Sequence, residues 1–78
     1  MQENFTLHIM VENRFGVLTR VIGLFSKRGY NIGSMMANPV AGTEQSQIML
    51  TSCGDNGARE QIIKQLQKLH DVKKVELI

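Results

Sequence analysis

Few residues in this chain are of types that carry covalent chemistry, and their spacing narrows the choice further. His8 and His70 are the only histidines and Cys53 the only cysteine. Alternation in the first segment sets His8 opposite the apolar residues, as a surface strand position. His70 falls at the end of a predicted helix, where a cationic ring is favourable. No nucleophile, base and acid are spaced as a catalytic set, and no His, Cys and carboxylate cluster has metal-ligand spacing. A hydrolase of the acylphosphatase kind needs an arginine-bearing, glycine-rich loop after its first strand. ENRFGVLTR supplies Arg14 and Arg20 but only Gly16. Recognition is what remains. ENRFGVL, residues 12–18, places a glycine just before a helical pattern. The first amides of a helix lack an internal partner and carry partial positive charge, so a carboxylate or phosphate docks there. Gly16 removes the side chain that would block close approach. Asn13 braces the turn through a backbone N–H two residues on, or reaches the ligand itself. A plain turn accounts for the same residues, and both readings stand at this point.

The surrounding chain must position that joint within 78 residues, the length of one domain, 1–78. So small a domain buries only about 60% of its unfolded surface and often gains stability from disulfides, metals or self-association. One cysteine forms no internal disulfide and fits a reducing compartment. With metal ligands also absent, oligomerisation is the remedy left. The net charge is +2. Its cations are scattered, with only Lys27-Arg28 and Lys73-Lys74 adjacent, so no nucleic-acid stripe forms. No apolar run approaches the roughly 18 residues of a membrane span. MQENFTLHI lacks the regions of a signal peptide. The expectation is a cytoplasmic protein that binds neither nucleic acid nor membrane.

Two periodicities alternate along the chain. Phe5, Leu7, Ile9 and Val11 point one way, and Thr6, His8 and Met10 the other, predicting a strand over residues 5–11. Val17, Leu18, Val21, Ile22, Leu24 and Phe25 fall within about 160° of arc, predicting a helix over 17–28. Gly29 ends it, because glycine takes the left-handed conformation at little cost. A strand over 30–38 follows, with Tyr30 and Ile32 on one face, then a turn at Pro39 and Gly42. Its partner strand spans 44–53, with Ile48 and Leu50 opposed to Met49 and Thr51. GDNG supplies Asp55 or Asn56 as a helix N-cap. Ala58, Ile62, Ile63, Leu66 and Leu69 share about 140° of arc in a second helix over 58–69. Val72–Ile78 closes as a strand.

The order β-α-β-β-α-β with right-handed crossovers puts both helices on the same side of one sheet. The fold class is α+β, a ferredoxin-like sandwich of a four-stranded antiparallel sheet with two helices on one face. The other sheet face is bare, with Thr6, His8, Met10, Met49 and Thr51 expected there, along with some of Met35 and Ala37. It is either solvated or an association surface, and a bare edge strand also invites pairing. RNA-binding domains of this shape carry aromatic side chains on the central strands. IMLTSC carries none, and Cys53 alone is no Cys-x-x-Cys metal loop.

The stretch VENRFGVLTRVIGLFSKRGYNIGSM closely resembles the small regulatory subunit of acetohydroxyacid synthase (acetolactate synthase). An ACT domain opens that family with an apolar strand, then E-N-x-x-G-V/A-L, then R-V-x-G-L-F-x-x-R-G-Y/F-N-I. The pattern runs from Val11 to Ile32, and QIIKQLQKLHDVKKVEL is similar to the family's second helix and fourth strand. The resemblance implies a homodimeric, non-catalytic subunit. Such a subunit binds the catalytic subunit, raises its activity, and confers feedback inhibition by valine or another branched-chain amino acid. It implies that Asn13 and Gly16 form the valine loop and that Phe15, Gly16 and Val17 offer amides to the ligand carboxylate. By the same resemblance, Asn31 approaches the ligand at the dimer interface, and Leu18 and Ile32 border its side chain. Periodicity alone places Leu18 and Ile32 in an ordinary core. No cofactor is implied for this chain, since thiamine diphosphate and magnesium belong to the catalytic partner. The alternatives are a free-standing amino-acid sensor or a structural module for another protein. Two features depart from the family: the chain stops at Ile78, where small subunits often continue into a second domain, and Gly33 replaces a commonly acidic residue. Gly23 lies about 180° from the centre of the first helix's apolar face. Its cost of roughly 1 kcal/mol relative to alanine is not repaid by core packing, and the expectation is that another backbone or subunit approaches the helix there.

Overall fold

The computed structural model describes residues 3–78; Met1 and Gln2, which open the expected domain and the MQENFTLHI segment, lie outside the described residues. Six elements follow in the expected order: β1 (Glu3–Glu12), α1 (Val17–Lys27), β2 (Ile32–Pro39), β3 (Gln45–Gly54), α2 (Asn56–Gln67) and β4 (Val72–Leu77). The strands form one antiparallel sheet in the order β2-β3-β1-β4. This is the expected ferredoxin-like arrangement, with β1 and β3 central and β2 and β4 at the edges.

Strict alternation makes β1 the spine of the core. Phe5, Leu7, Ile9 and Val11 are all buried, and Ile48 and Leu50 stand opposite Ile9 and Leu7 on β3. Val17, Val21 and Phe25 from α1 and Ile62 and Leu66 from α2 complete the cluster. Burying a side chain of this kind contributes about 1.5–3 kcal/mol. Those apolar faces therefore fix which way each helix rolls on the sheet.

The helix ends come from local chemistry. Asp55 caps α2, its Oδ1 accepting the Ala58 N–H at 2.8 Å. That cap starts the helix at Asn56, two residues before the apolar positions suggest. At the other end, Lys68 and Leu69 donate to Gln65 and Leu66 three residues back. These tighter bonds end the regular helix at Gln67, and His70 sits exposed in the following turn rather than on the helix. Gly29, at φ 76°, terminates α1. It donates to Ser26 O, and Tyr30 N–H reaches Phe25 O at 2.9 Å, the paired bonds of a Schellman motif. Tyr30 thus belongs to the helix terminus and not to β2; its ring meets Phe25 edge-on at 6.5 Å.

The bare sheet face carries Thr6, His8, Met10, Met49 and Thr51 as expected, but not Met35 or Ala37. Ile32 pairs with Ser52 and Ser34 with Thr51, so the register slips by one residue at Gly33. A one-residue slip exchanges the two faces of everything beyond it. Met35 and Ala37 then align with Leu50 and Ile48 on the helical side, and Met36 pairs with Met49 on the bare side. Thr6 and Thr51 hydroxyls share a 3.0 Å hydrogen bond across that face, and His8 Nε2 contacts Gln47 Oε1 at 3.1 Å.

Candidate functional site

Gly16 is the N-cap of α1, at φ 87° and ψ −8°, a left-handed conformation that side-chain-bearing residues adopt at a cost. No side chain caps the helix there. Val17 N–H is directed at Arg14 O at 3.3 Å, so this amide, one of the three expected to face a ligand, already has a protein partner. The carbonyl of Gly16 accepts from Arg20 N–H at 3.1 Å, which starts the helical ladder. The amides of Phe15, Gly16, Leu18 and Thr19 bond no protein group among the described residues. The end of α1 is electropositive and unsatisfied, as a first turn without a cap must be.

Backbone bonds hold the loop on both sides. Arg14 N–H donates to Glu12 O, and Asn13 N–H to Glu44 O at 2.8 Å in the β2–β3 turn. Asn13 braces the loop through its main chain, and its carboxamide makes no hydrogen bond among the described residues. Asp71, at the α2–β4 corner, fastens the loop from below. Its carbonyl accepts Glu12 N–H at 2.8 Å, and its carboxylate Oδ2 accepts from Arg20 Nη2 at 2.6 Å.

A cleft of about 200 Å³ opens between this loop, the first turn of α1 and the last residues of β2. Asn13, Val17 and Leu18 line it, together with Arg14, Ala37 and Pro39, which the sequence reading did not assign to the site. The walls are mixed: apolar from Val17, Leu18 and Ala37, polar from Asn13, charged from Arg14. Phe15 projects into solvent, fully exposed. Asn31 and Ile32 lie at the other end of β2, seven residues from Pro39 at Ile32, or about 23 Å at strand rise. The carbonyl of Asn31 accepts the buried Ser52 hydroxyl at 2.5 Å, which anchors the chain as it joins the sheet. One copy of the chain therefore brings together Asn13, Val17 and Leu18 at the cleft, leaves Phe15 and Gly16 in the adjoining loop outside its lining, and holds Asn31 and Ile32 apart. The β2 wall was readable only from the pairing of Pro39 with Ser46 and Ala37 with Ile48.

Among the described residues no three His, Cys, Asp or Glu side chains are grouped to hold a metal ion. No described helix is long and apolar enough to cross a membrane.

Residues 7–74 match the family model described as the AHAS small subunit-like ACT domain. The acetolactate synthase small subunit of Buchnera aphidicola subsp. Baizongia pistaciae is 51% identical over 69 residues, covering 88% of this chain and 43% of that protein. The acetolactate synthase isozyme 3 small subunit of Escherichia coli K12 is 48% identical over 69 residues, covering 88% and 42%. The chain thus spans less than half the length of these relatives. The crystal structure of the acetolactate synthase small subunit from Thermotoga maritima superposes with a TM-score of 0.87 at 33% identity, over 96% of this chain and 47% of that one. The sandwich, the left-handed glycine that opens its first helix and these matches agree: the chain belongs to the family of acetohydroxyacid synthase small-subunit ACT domains, and not to the catalytic subunits of that enzyme.

Proposed function

We propose that residues 1–78 form one regulatory ACT domain that works in the cytoplasm as a homodimer. It binds the catalytic subunit of acetohydroxyacid synthase and raises its activity. Thiamine diphosphate and magnesium reside on that partner. Valine or another branched-chain amino acid occupies the cleft and confers feedback inhibition. The observation that carries this reading is the cleft, in a chain of this family, where the uncapped end of α1 meets apolar Val17, Leu18 and Ala37. An amino-acid zwitterion needs both: donors for its carboxylate and an apolar wall for its side chain. At about 200 Å³ the cleft is smaller than the roughly 300–1,000 Å³ of drug-sized sites, as suits a ligand of this size.

The two sheet edges favour association through β2. β4 carries Lys73, Lys74 and Glu76, and its register with β1 breaks between Met10 and Val11. Charge and irregularity are what keep an edge from pairing. β2 reads IGSMMANP, without a charge, and is exposed over most of its length. Two copies joined along β2 about a two-fold axis run antiparallel there. The Ile32 end of one then lies beside the Pro39 end of the other, and the partner copy closes the cleft with its Asn31 and Ile32. Ligand bound between chains favours one dimer geometry, and shifts the enzyme only by its differential affinity for the two states.

Titration calorimetry with valine, leucine and isoleucine, with ultracentrifugation of the same samples, tests the sensor. The expected result is heat from at least one of them in a dimeric sample. Co-purification with the catalytic subunit tests the partner. A dimer that binds none of the three amino acids removes the sensor role and leaves an interaction module.

A further inference from the structure

Arg14 stands between two places for an anion. Its Nε lies 3.9 Å from Asp71 Oδ1, too long for a hydrogen bond. The other oxygen of Asp71 is held by Arg20 Nη2 at 2.6 Å. The Asp71 side chain is only 12% exposed, whereas that of Arg14 is 66% exposed. Arg20 therefore satisfies Asp71, and Arg14 adds only a loose, solvent-screened attraction. Arg14 is also one of the residues lining the cleft, with Asn13 and Leu18. Glu12, also at the cleft, is turned to Lys73 Nζ at 3.4 Å.

We propose that Arg14 is the specificity-determining cation of the cleft, leaning on Asp71 when the cleft is empty and moving to the carboxylate of the bound amino acid when it fills. The inference rests on the reading that the cleft takes an amino acid, and it names the side chain that selects the anionic head group. A guanidinium meets a carboxylate through two parallel N–H···O bonds, which the 3.9 Å approach to Asp71 does not provide. Binding thus exchanges a weak contact for a stronger one. Asp71 acts as a competitor for Arg14, and its hold on the corner before β4 changes with cleft occupancy.

The competition makes a signed prediction that damage to the loop cannot imitate. Calorimetry with L-valine, L-leucine and L-isoleucine on the purified chain first fixes the ligand that binds. In Arg14→Gln that ligand binds about five- to tenfold more weakly, the loss of a charge-assisted pair; Arg14→Lys recovers part of the loss. In Asp71→Asn, which keeps an acceptor for Arg20, it binds about two- to fivefold more tightly, because a competitor that holds the exposed Arg14 only loosely, at 3.9 Å, is gone. The double variant shows no such gain. Circular dichroism establishes that each variant is folded. Arg14→Gln is the decisive variant should Asp71→Asn not fold, since Arg14 is largely in solvent. Unchanged affinity in Arg14→Gln, or weaker binding in folded Asp71→Asn, overturns the role of Arg14 while leaving the amino-acid site standing. Absence of binding in the unaltered dimer overturns both.

Discussion

Two glycines bracket α1 in nearly the same backbone conformation, Gly16 at φ 87° and Gly29 at φ 76°. They separate the structural task of such a residue from a functional one. A Cβ built at either position meets nothing within 4 Å, so alanine costs backbone strain alone, about 1–2 kcal/mol. In a domain of this size 1 kcal/mol moves Tm by about 4–8 °C. Gly16→Ala and Gly29→Ala are each expected to melt about 4–15 °C lower. Their effects on ligand binding differ. Gly29 lies at the far end of the helix from the cleft, so Gly29→Ala binds as the unaltered chain does. Gly16→Asp divides the two quantities further. Aspartate enters the left-handed region more readily than alanine, and its carboxylate stabilises an uncapped helix start. It is expected to melt higher than Gly16→Ala. Yet its carboxylate, tethered beside the Leu18 and Thr19 amides, occupies the place proposed for a ligand carboxylate, and affinity for whichever branched-chain amino acid calorimetry identifies is expected to fall by more than about tenfold, or 1.4 kcal/mol. Thermal unfolding by circular dichroism and titration calorimetry on the same three variants provide the readings. The reasoning is refuted if Gly16→Asp binds normally, or if Gly29→Ala loses as much affinity as Gly16→Asp.

Three further expectations concern the scaffold. Asp55→Ala removes the acceptor of the Ala58 N–H and should lower stability by about 1 kcal/mol, read as a shift in Tm, with Asp55→Asn close to neutral. Phe25→Ala empties a fully buried position at the centre of the α1 face; its cost of about 3–5 kcal/mol is a large part of the stability of so small a domain, so denaturant unfolding should lose most of its folded baseline. Gly23→Ala adds a Cβ to open space on the outer face of α1 and should stabilise the isolated helix by about 1 kcal/mol; if a second subunit approaches there, sedimentation shows weaker association, and unchanged association removes Gly23 from the interface.

Most of the architecture could be read from local periodicity, because each apolar face had only one side to pack on. β1 shows this best, with four alternate residues buried in the order the sequence gives them. The misreading of β2 was also physical. Alternation counted from Tyr30 assumes an unbroken pleat, whereas the slip beside Gly33 is a property of the pairing with β3 and has no periodic signature. A glycine in a strand is a warning of such irregularity, though it does not say on which side the phase is lost.

The site was legible in proportion to how local it is. The glycine before α1 announced the uncapped helix start, since a left-handed N-cap is a property of a few adjacent residues. Asp71 gave no comparable signal: an acidic residue in a turn after a helix reads as a solvated charge. Only when β4 is laid beside β1 does that turn come under the β1–α1 loop, where the carboxylate meets Arg20 and the carbonyl meets Glu12 N–H. Arg14 gains its second neighbour the same way. Within ENRFGVL it is one exposed cation, but the assembled sheet sets it 3.9 Å from a largely buried carboxylate and among the residues lining the cleft. On the proposed reading the local motif builds the place for an anion. The long-range pairing of β1 with β4 decides how strongly the nearest cation is already engaged, so on the proposed reading residues outside the motif tune the affinity and leave the kind of ligand unchanged.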